Sequence, residues 1–275
     1  MKEIKKQLSE TIPFLQSKTN VEPKLGLILG TGMGKVAETI DKEAIIPYAN
    51  IPNFAVSTVE SHAGNLIFGH LKGVPVMAMQ GRFHYYEGYD MKTITYPVRV
   101  MKALGADTMI VSCAVGALNP LFRPGDIMLI VDHINLLGDN PLRGVNDDEL
   151  GPRFPDMSRA YTPELRKLAE KVALESGVRL VQGVLVSVMG PNLETAAEYR
   201  FFRTIGADVV GMSTVPECIV AVHSGMRVLG FSLITDMCLP DALEPATLEK
   251  ILEVASKADA KLSGLVAEIV PKMKF

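Results

Sequence analysis

Residues 73–88 read Gly73-Val74-Pro75-Val76-Met77-Ala78-Met79-Gln80-Gly81-Arg82-Phe83-His84-Tyr85-Tyr86-Glu87-Gly88. The apolar run Val74 to Met79 predicts a buried strand, and the segment after it packs a guanidinium, an imidazole, phenols and a carboxylate between two glycines. A strand delivering such side chains to a sheet edge is how α/β proteins build their sites. Arg82 and His84 stand two residues apart, so on extended backbone both point the same way and can converge on one anion. The planar fork of arginine suits phosphate, because it donates two parallel hydrogen bonds. The competing reading pairs Arg82 with Glu87 on a solvated loop.

Working outward, apolar β-rich runs alternate with helical patterns along the whole chain. Strands are expected at Leu25 to Leu29, Asn65 to Leu71, Val74 to Met79, Thr108 to Ser112, Asp126 to Val131, Gly183 to Met189, Ala207 to Val210 and Arg227 to Ile234. The final helix is signalled by Leu248, Ile251, Leu252, Ala255, Leu262, Leu265, Val266 and Ile269, which share one face, with Pro245 and Thr247 at its start. A second helix should open at Thr162-Pro163-Glu164, with threonine as N-cap and proline at the first helical position. The alternation argues an α/β fold with a mainly parallel or mixed sheet. No repeat or Pro/Ser-rich linker interrupts it, so residues 1–275 are expected to form one domain. Residues 132–161, rich in Asn, Asp, Gly, Pro and Arg, read as a long loop, either functional, interfacial or partly disordered.

Composition narrows the function. Of 275 residues 48% are hydrophobic, enough for a large core, and 28 basic residues against 31 acidic ones give a net charge of −3. No Lys/Arg block tracks a phosphate backbone, so nucleic acid is not an expected partner. Cys113, Cys218 and Cys238 are widely spaced and odd in number, which points to a reducing compartment and no metal knot. No apolar h-region follows the charged N-terminus and no run approaches the roughly 18 residues of a membrane span. A soluble cytoplasmic protein without a membrane partner is the expectation.

Several strand ends carry chemistry. Gly30-Thr31-Gly32-Met33-Gly34 follows the first strand, where glycine backbone and helix amides can approach an anion. It is not a Walker loop, since Leu29 and Val36 stand where glycine and Ser/Thr belong, and Lys35 takes the third glycine of a Rossmann pattern. A short phosphate loop with the Thr31 hydroxyl, or an ordinary tight turn, remains. Ser61-His62-Ala63-Gly64 reads as a lid or a structural loop. Residues 112–119, Ser-Cys-Ala-Val-Gly-Ala-Leu-Asn, end a strand in small residues that let a ligand approach. Glu194 follows a Pro-Asn turn at a helix start where Asn192 can cap, and Ser213 and Asp236 also stand at strand ends.

In this order the runs MQGRFHYYEGY (79–89), GDIMLIVDHIN (125–135), NPLRGVND (140–147), RFPDMSRAY (153–161), GMSTVPE (211–217) and FSLIT (231–235) resemble the trimeric purine nucleoside phosphorylases over nearly the whole chain. The resemblance implies a central mixed sheet, partly barrel-like, flanked by helices, and a reversible phosphorolysis of purine nucleosides to base and pentose 1-phosphate in purine salvage. By motif, Thr31, Arg82, His84, the Ala114 backbone and Ser213 would hold phosphate, with Glu87 orienting the Arg-His pair and His62 close by. Tyr86 and the Met212 backbone would face the ribose; Leu193, Glu194 and Asp236 would face the base; His84, Glu194 and Asp236 would be the catalytic side chains. Phe154 would reach the site of a neighbouring subunit in a homotrimer. No metal or cofactor is implied beyond phosphate as co-substrate.

Two positions depart from the family pattern. Asp236 stands where the family has asparagine; an ionised aspartate only accepts, which suits a 6-amino group, whereas a protonated one can donate to N7. Glu194 pulls the other way, since it pairs with the N1 proton of 6-oxopurines. Leu248 stands where the family places a histidine for the ribose 5′-hydroxyl, which would admit an apolar 5′ substituent; alternatively Leu248 lies on the core face. The alternative reading is therefore a 5′-methylthioadenosine phosphorylase.

Overall fold

The computed structural model describes residues 2–58 and 63–275. Nine strands form one mixed sheet: β1 (Leu25–Leu29), β2 (Asp41–Pro47), β3 (Asn65–Leu71), β4 (Val74–Gln80), β5 (Thr108–Ala117), β6 (Ile127–Leu136), β7 (Leu180–Val188), β8 (Val209–Gly211) and β9 (Arg227–Met237). Their order is β2-β3-β4-β1-β5-β8-β7-β6-β9, and β5 also pairs with β9 in parallel. That last pairing closes five strands into a barrel, from which β1, β4, β3 and β2 run on as an open wing. β1, β4, β5 and β9 are parallel, so their carboxyl ends emerge on one edge.

Helices cover both faces: α1 (Lys2–Gln16), α2 (Gly34–Thr39), α3 (Met91–Ala103), α4 (Pro163–Glu175), α5 (Ala196–Thr204), α6 (Val215–His223) and α7 (Leu248–Ile269). One core lies under α1, α3 and α6 and a second under α2, α4 and α7, with Leu27, Val76, Ile110 and Leu229 buried in the latter. Among the described residues no helix is long and apolar enough to cross a membrane.

The expected strands all exist, and the differences have physical causes. β2 was not anticipated because this edge strand is mostly exposed and lacks an apolar run. β5, β6 and β9 continue past their apolar segments to Ala117, Leu136 and Met237. Asp132 to Leu136, expected to open the long loop, therefore pairs with Val184 to Val188 of β7. The remaining loop is irregular but pinned. The buried Arg99 guanidinium donates to the Leu150 carbonyl (3.0 Å) and to Ser224 Oγ (2.7 Å), and Lys5 meets Asp147 (3.0 Å) and Glu149 (2.7 Å).

Two caps also differ. Thr162 precedes Pro163 of α4, yet its hydroxyl accepts from the Val228 backbone (3.0 Å) and ties the helix to β9. The cap of α5 is Thr195, not Asn192: Thr195 Oγ1 accepts from Glu198 N–H while the Glu198 carboxylate accepts from Thr195 N–H, a capping box that fixes the residue before it, Glu194.

Candidate active site

The carboxyl ends of β1, β4, β5 and β9 meet β8 and the start of α5 around a cavity of about 210 Å³. Thr31, Arg82, His84, Tyr86, Ala114, Leu193, Glu194, Met212, Ser213 and Asp236 all line it. Residues scattered over some 200 positions thus share one hollow because parallel strands end together.

At one end sits Arg82, 2% exposed. Its Nη1 donates to Thr214 Oγ1 (3.0 Å) and faces Glu217 Oε1 (3.2 Å), and Nη2 donates to the Ser112 carbonyl. The carboxylate that meets Arg82 is therefore Glu217 of α6, itself buried, and not Glu87 as the motif reading expected. Gly30 makes room for this arrangement, since a Cβ there would lie 2.9 Å from Arg82 Nη2 and press on the Ser112 carbonyl. Thr214 is held at φ 78°, ψ −46°, with Val215 N–H donating to the Ser213 carbonyl (2.9 Å). This is a γ-turn of the strained hand, a conformation that costs about 1–3 kcal/mol. It turns the Thr214 hydroxyl to Arg82 and puts Ser213 on the cavity wall.

Glu87 belongs to His84 alone of that expected pair. His84 Nδ1 lies 2.9 Å from Glu87 Oε1, and Glu87 Oε2 accepts from the Thr58 hydroxyl (2.6 Å) and amide (2.8 Å). Burial would raise the Glu87 carboxyl, but the hydrogen bonds from His84 and Thr58 prevail and hold it at about 2. An ionised Glu87 keeps the proton on His84 Nδ1 and leaves Nε2 as the second ring nitrogen. The Tyr86 ring stacks on His84 at 4.7 Å, with its hydroxyl pushed up by burial and by Glu87.

At the other end are two carboxylates. Burial raises Glu194, the Tyr199 hydroxyl opposes that, and the Glu198 and Asp236 charges add to it. Asp236 Oδ1 accepts from Thr235 Oγ1 (2.7 Å) and Oδ2 from the Cys238 thiol (3.2 Å). Tyr199, Cys238 and Ile251 line this end and were not singled out from the sequence. Tyr199 lies on α5 five residues beyond Glu194, which precedes the helix, so no helical spacing pairs the two in the sequence.

Two expected residues stand elsewhere. Leu248 is 70% exposed at the start of α7 and borders neither the cavity nor the core; Ile251, three residues on, lines the cavity instead. Phe154 is 87% exposed, beneath the Arg153 guanidinium, beside a separate groove that includes His133 and Met157. His62 lies outside the described residues. At the start of α2 the Lys35 amide is already engaged, donating to Asp259 of α7 at 3.1 Å. Among the described residues no group of His, Cys, Asp or Glu is clustered to hold a metal ion.

The fold and this cavity define a phosphorylase of the superfamily whose model, described as Phosphorylase superfamily, matches residues 24–271. Purine nucleoside phosphorylase 1 of Geobacillus stearothermophilus is 51% identical over 266 residues, 97% of each chain. A crystal structure of a schistosoma purine nucleoside phosphorylase with hypoxanthine superposes with TM-score 0.94 at 40% identity, covering 98% of both chains. Another, from Schistosoma mansoni with adenosine, gives TM-score 0.92 at 39% identity over 100% of this chain and 98% of that one. The chain belongs to the phosphorylase superfamily and, within it, to the purine nucleoside phosphorylases.

Proposed function

We propose that this protein cleaves purine nucleosides reversibly with inorganic phosphate, giving free base and pentose 1-phosphate. The observation that carries this is a single cavity with a buried guanidinium at one end and two carboxylates at the other. Phosphate held by Arg82, His84, Thr31, Ser213 and the Ala114 amide attacks C1′ from beside the sugar. The C1′–N9 bond breaks, its electron pair leaves with the purine, and phosphate oxygen takes its place on C1′. The departing step creates an oxocarbenium-like sugar, which the phosphate charge stabilises, and an anionic base. A proton or hydrogen bond delivered at N7 from the Glu194–Asp236 end stabilises that base. Tyr86 and the Met212 backbone position the ribose. Inorganic phosphate is the co-substrate and no other cofactor is invoked.

Relatives crystallised with hypoxanthine and with adenosine bracket the substrate question. Methylthioadenosine is a second candidate. Leu248 no longer supports it, but Ile251 brings an apolar side chain of the same helix into the cavity. Release of free base from inosine, guanosine, adenosine and methylthioadenosine, with and without phosphate, is the decisive assay. Phosphate-dependent release is expected; release without phosphate would make the protein a hydrolase, and binding without turnover a nucleoside-binding module.

A homotrimer with Phe154 reaching a neighbouring site belongs to the same proposal, supported by the exposure of that ring on a pinned loop. A fully active monomer in sedimentation would refute it. Three free thiols suit a cytoplasmic enzyme of purine salvage.

A further inference from the structure

Resting on the phosphorolysis reading, we infer that the base end of the cavity adjoins a second hollow that takes an apolar substituent on a 6-amino nitrogen, so that the protein accepts N6-substituted purine nucleosides. This annex has a volume of about 480 Å³, against about 210 Å³ for the substrate cavity. Thr235, Asp236 and Ile251 line both. The phosphate- and ribose-facing residues Thr31, Arg82, His84, Tyr86, Met212 and Ser213 line the substrate cavity alone. A group that passes from one hollow to the other is therefore carried by the base.

The fold builds the annex where β9 runs out and α7 begins. Met237 is the last residue of β9, residues 238–247 cross to α7 without helix or strand, and Val254 lies one turn along α7 from Ile251. Met237, Ala246 and Val254, with Pro124 and Pro245, give the annex apolar walls. Its exposed charges are Glu244, Lys250, Glu253 and Lys257, two of each sign, with Lys257 Nζ 2.6 Å from Glu253 Oε1. A balanced rim over apolar walls favours a neutral apolar group and gives an anionic one no net attraction.

Asp236 stands at the shared wall and is fixed there, because both carboxyl oxygens are held by neighbours: Thr235 Oγ1 lies 2.7 Å from Oδ1 and the Cys238 thiol 3.2 Å from Oδ2. Gly116 allows this, since a Cβ there would collide with Cys238 Sγ. A monosubstituted 6-amino group keeps one N–H for Asp236 to accept, and its remaining bond carries the substituent past Ile251 into the annex. A 6-oxo group has no bond to spare and leaves the annex unused. The reaction itself is unchanged: C1′–N9 breaks, phosphate oxygen takes its place on C1′, and the substituent leaves with the base.

The test compares kcat/KM for N6-benzyladenosine, adenosine and inosine, all with saturating phosphate. N6-benzyladenosine is expected at or above the adenosine value, since burial of a phenyl ring is worth about tenfold or more in KM. Ala246→Trp and Val254→Trp, which fill the annex outside the substrate cavity, should each lower the ratio of N6-benzyladenosine to adenosine about tenfold or more. Because each ratio is taken on one sample, partial misfolding of a variant cancels, and a merely structural effect would lower both substrates equally. If none of the three nucleosides is cleaved, the phosphorolysis reading itself falls. If inosine is cleaved but adenosine is not, if N6-benzyladenosine lies more than about tenfold below adenosine, or if the ratio survives both substitutions, the annex assignment is overturned while phosphorolysis stands.

Discussion

Glu217→Gln tests the phosphate end most directly. The substitution keeps the shape of the side chain and removes the carboxylate charge that faces Arg82 at 3.2 Å, with Arg82 2% and Glu217 3% exposed. At an effective dielectric of about 20 two unit charges at that distance attract by roughly 5 kcal/mol. Removing one member of a buried pair costs about 3–5 kcal/mol in practice, and since the amide can still accept one hydrogen bond the lower figure, about 3 kcal/mol, is expected. For a chain of this size that is a fall in Tm of about 5 °C. The diagnostic part is its dependence on phosphate. A phosphate held by Arg82 supplies the negative charge that the variant lacks, so it should stabilise the variant more than the parent. Parent stabilisation at about 100 times Kd is roughly 2.7 kcal/mol. The gap of about 3 kcal/mol measured in phosphate- and sulfate-free buffer should therefore shrink to about 1.5 kcal/mol or less at saturating phosphate. Urea unfolding of both proteins with and without phosphate measures it. An equal penalty in the two conditions would show that Arg82 does not share its charge between Glu217 and phosphate.

Gly30→Ala would push a methyl group against the Ser112 carbonyl and Arg82 Nη2, costing about 1–3 kcal/mol and raising the KM for phosphate more than that for nucleoside; equal changes would separate Arg82 from phosphate. Glu87→Gln removes a carboxyl whose folded value is about 2 against 4.5 unfolded, so its stabilisation is fully present above pH 4.5 and is lost as pH falls through 2. Allowing for solvent screening, the parent should exceed the variant by about 1–3 kcal/mol near neutrality and converge with it near pH 2, and a gap that persists there in acid titration would refute the account. Leu248→Ala should leave nucleoside KM within about twofold while Ile251→Ala raises it, because only Ile251 touches the cavity; the reverse order in steady-state kinetics would restore Leu248 to the site.

Much of the fold was legible because buried strands declare themselves. β1 and β3 occupy the residues their apolar runs predict, and the 3.6-residue stripe of α7 marks its buried face from Ala255 onward. β2 was silent, since an exposed edge strand needs no apolar face. Arg82, His84, Ser213, Glu194 and Asp236 were legible through local motifs, each at the end of a recognisable strand or turn. Glu217 was quoted within its motif without a role, because its partner lies 135 positions away and no local spacing reveals a buried ion pair.

The strand ends missed from the sequence have a common cause that bears on function. β5 was expected to stop at Ser112 and β9 at Ile234, yet each continues by several residues, and Cys113, Ala114, Val115, Gly116, Thr235 and Asp236 in those extensions all line the cavity. Apolar periodicity records burial against a hydrophobic neighbour, and a strand that enters a binding hollow exchanges that neighbour for a ligand. Such a strand keeps its ladder, here the pairing of Ala114 with Leu233 and of Gly116 with Asp236, while its side chains become small or polar. The point where the hydrophobic pattern fails but the pairing persists is therefore where the protein has made room for chemistry. The break in register between Val115 and Gly116 falls within that stretch, beside the Thr235 and Asp236 side chains that line the cavity.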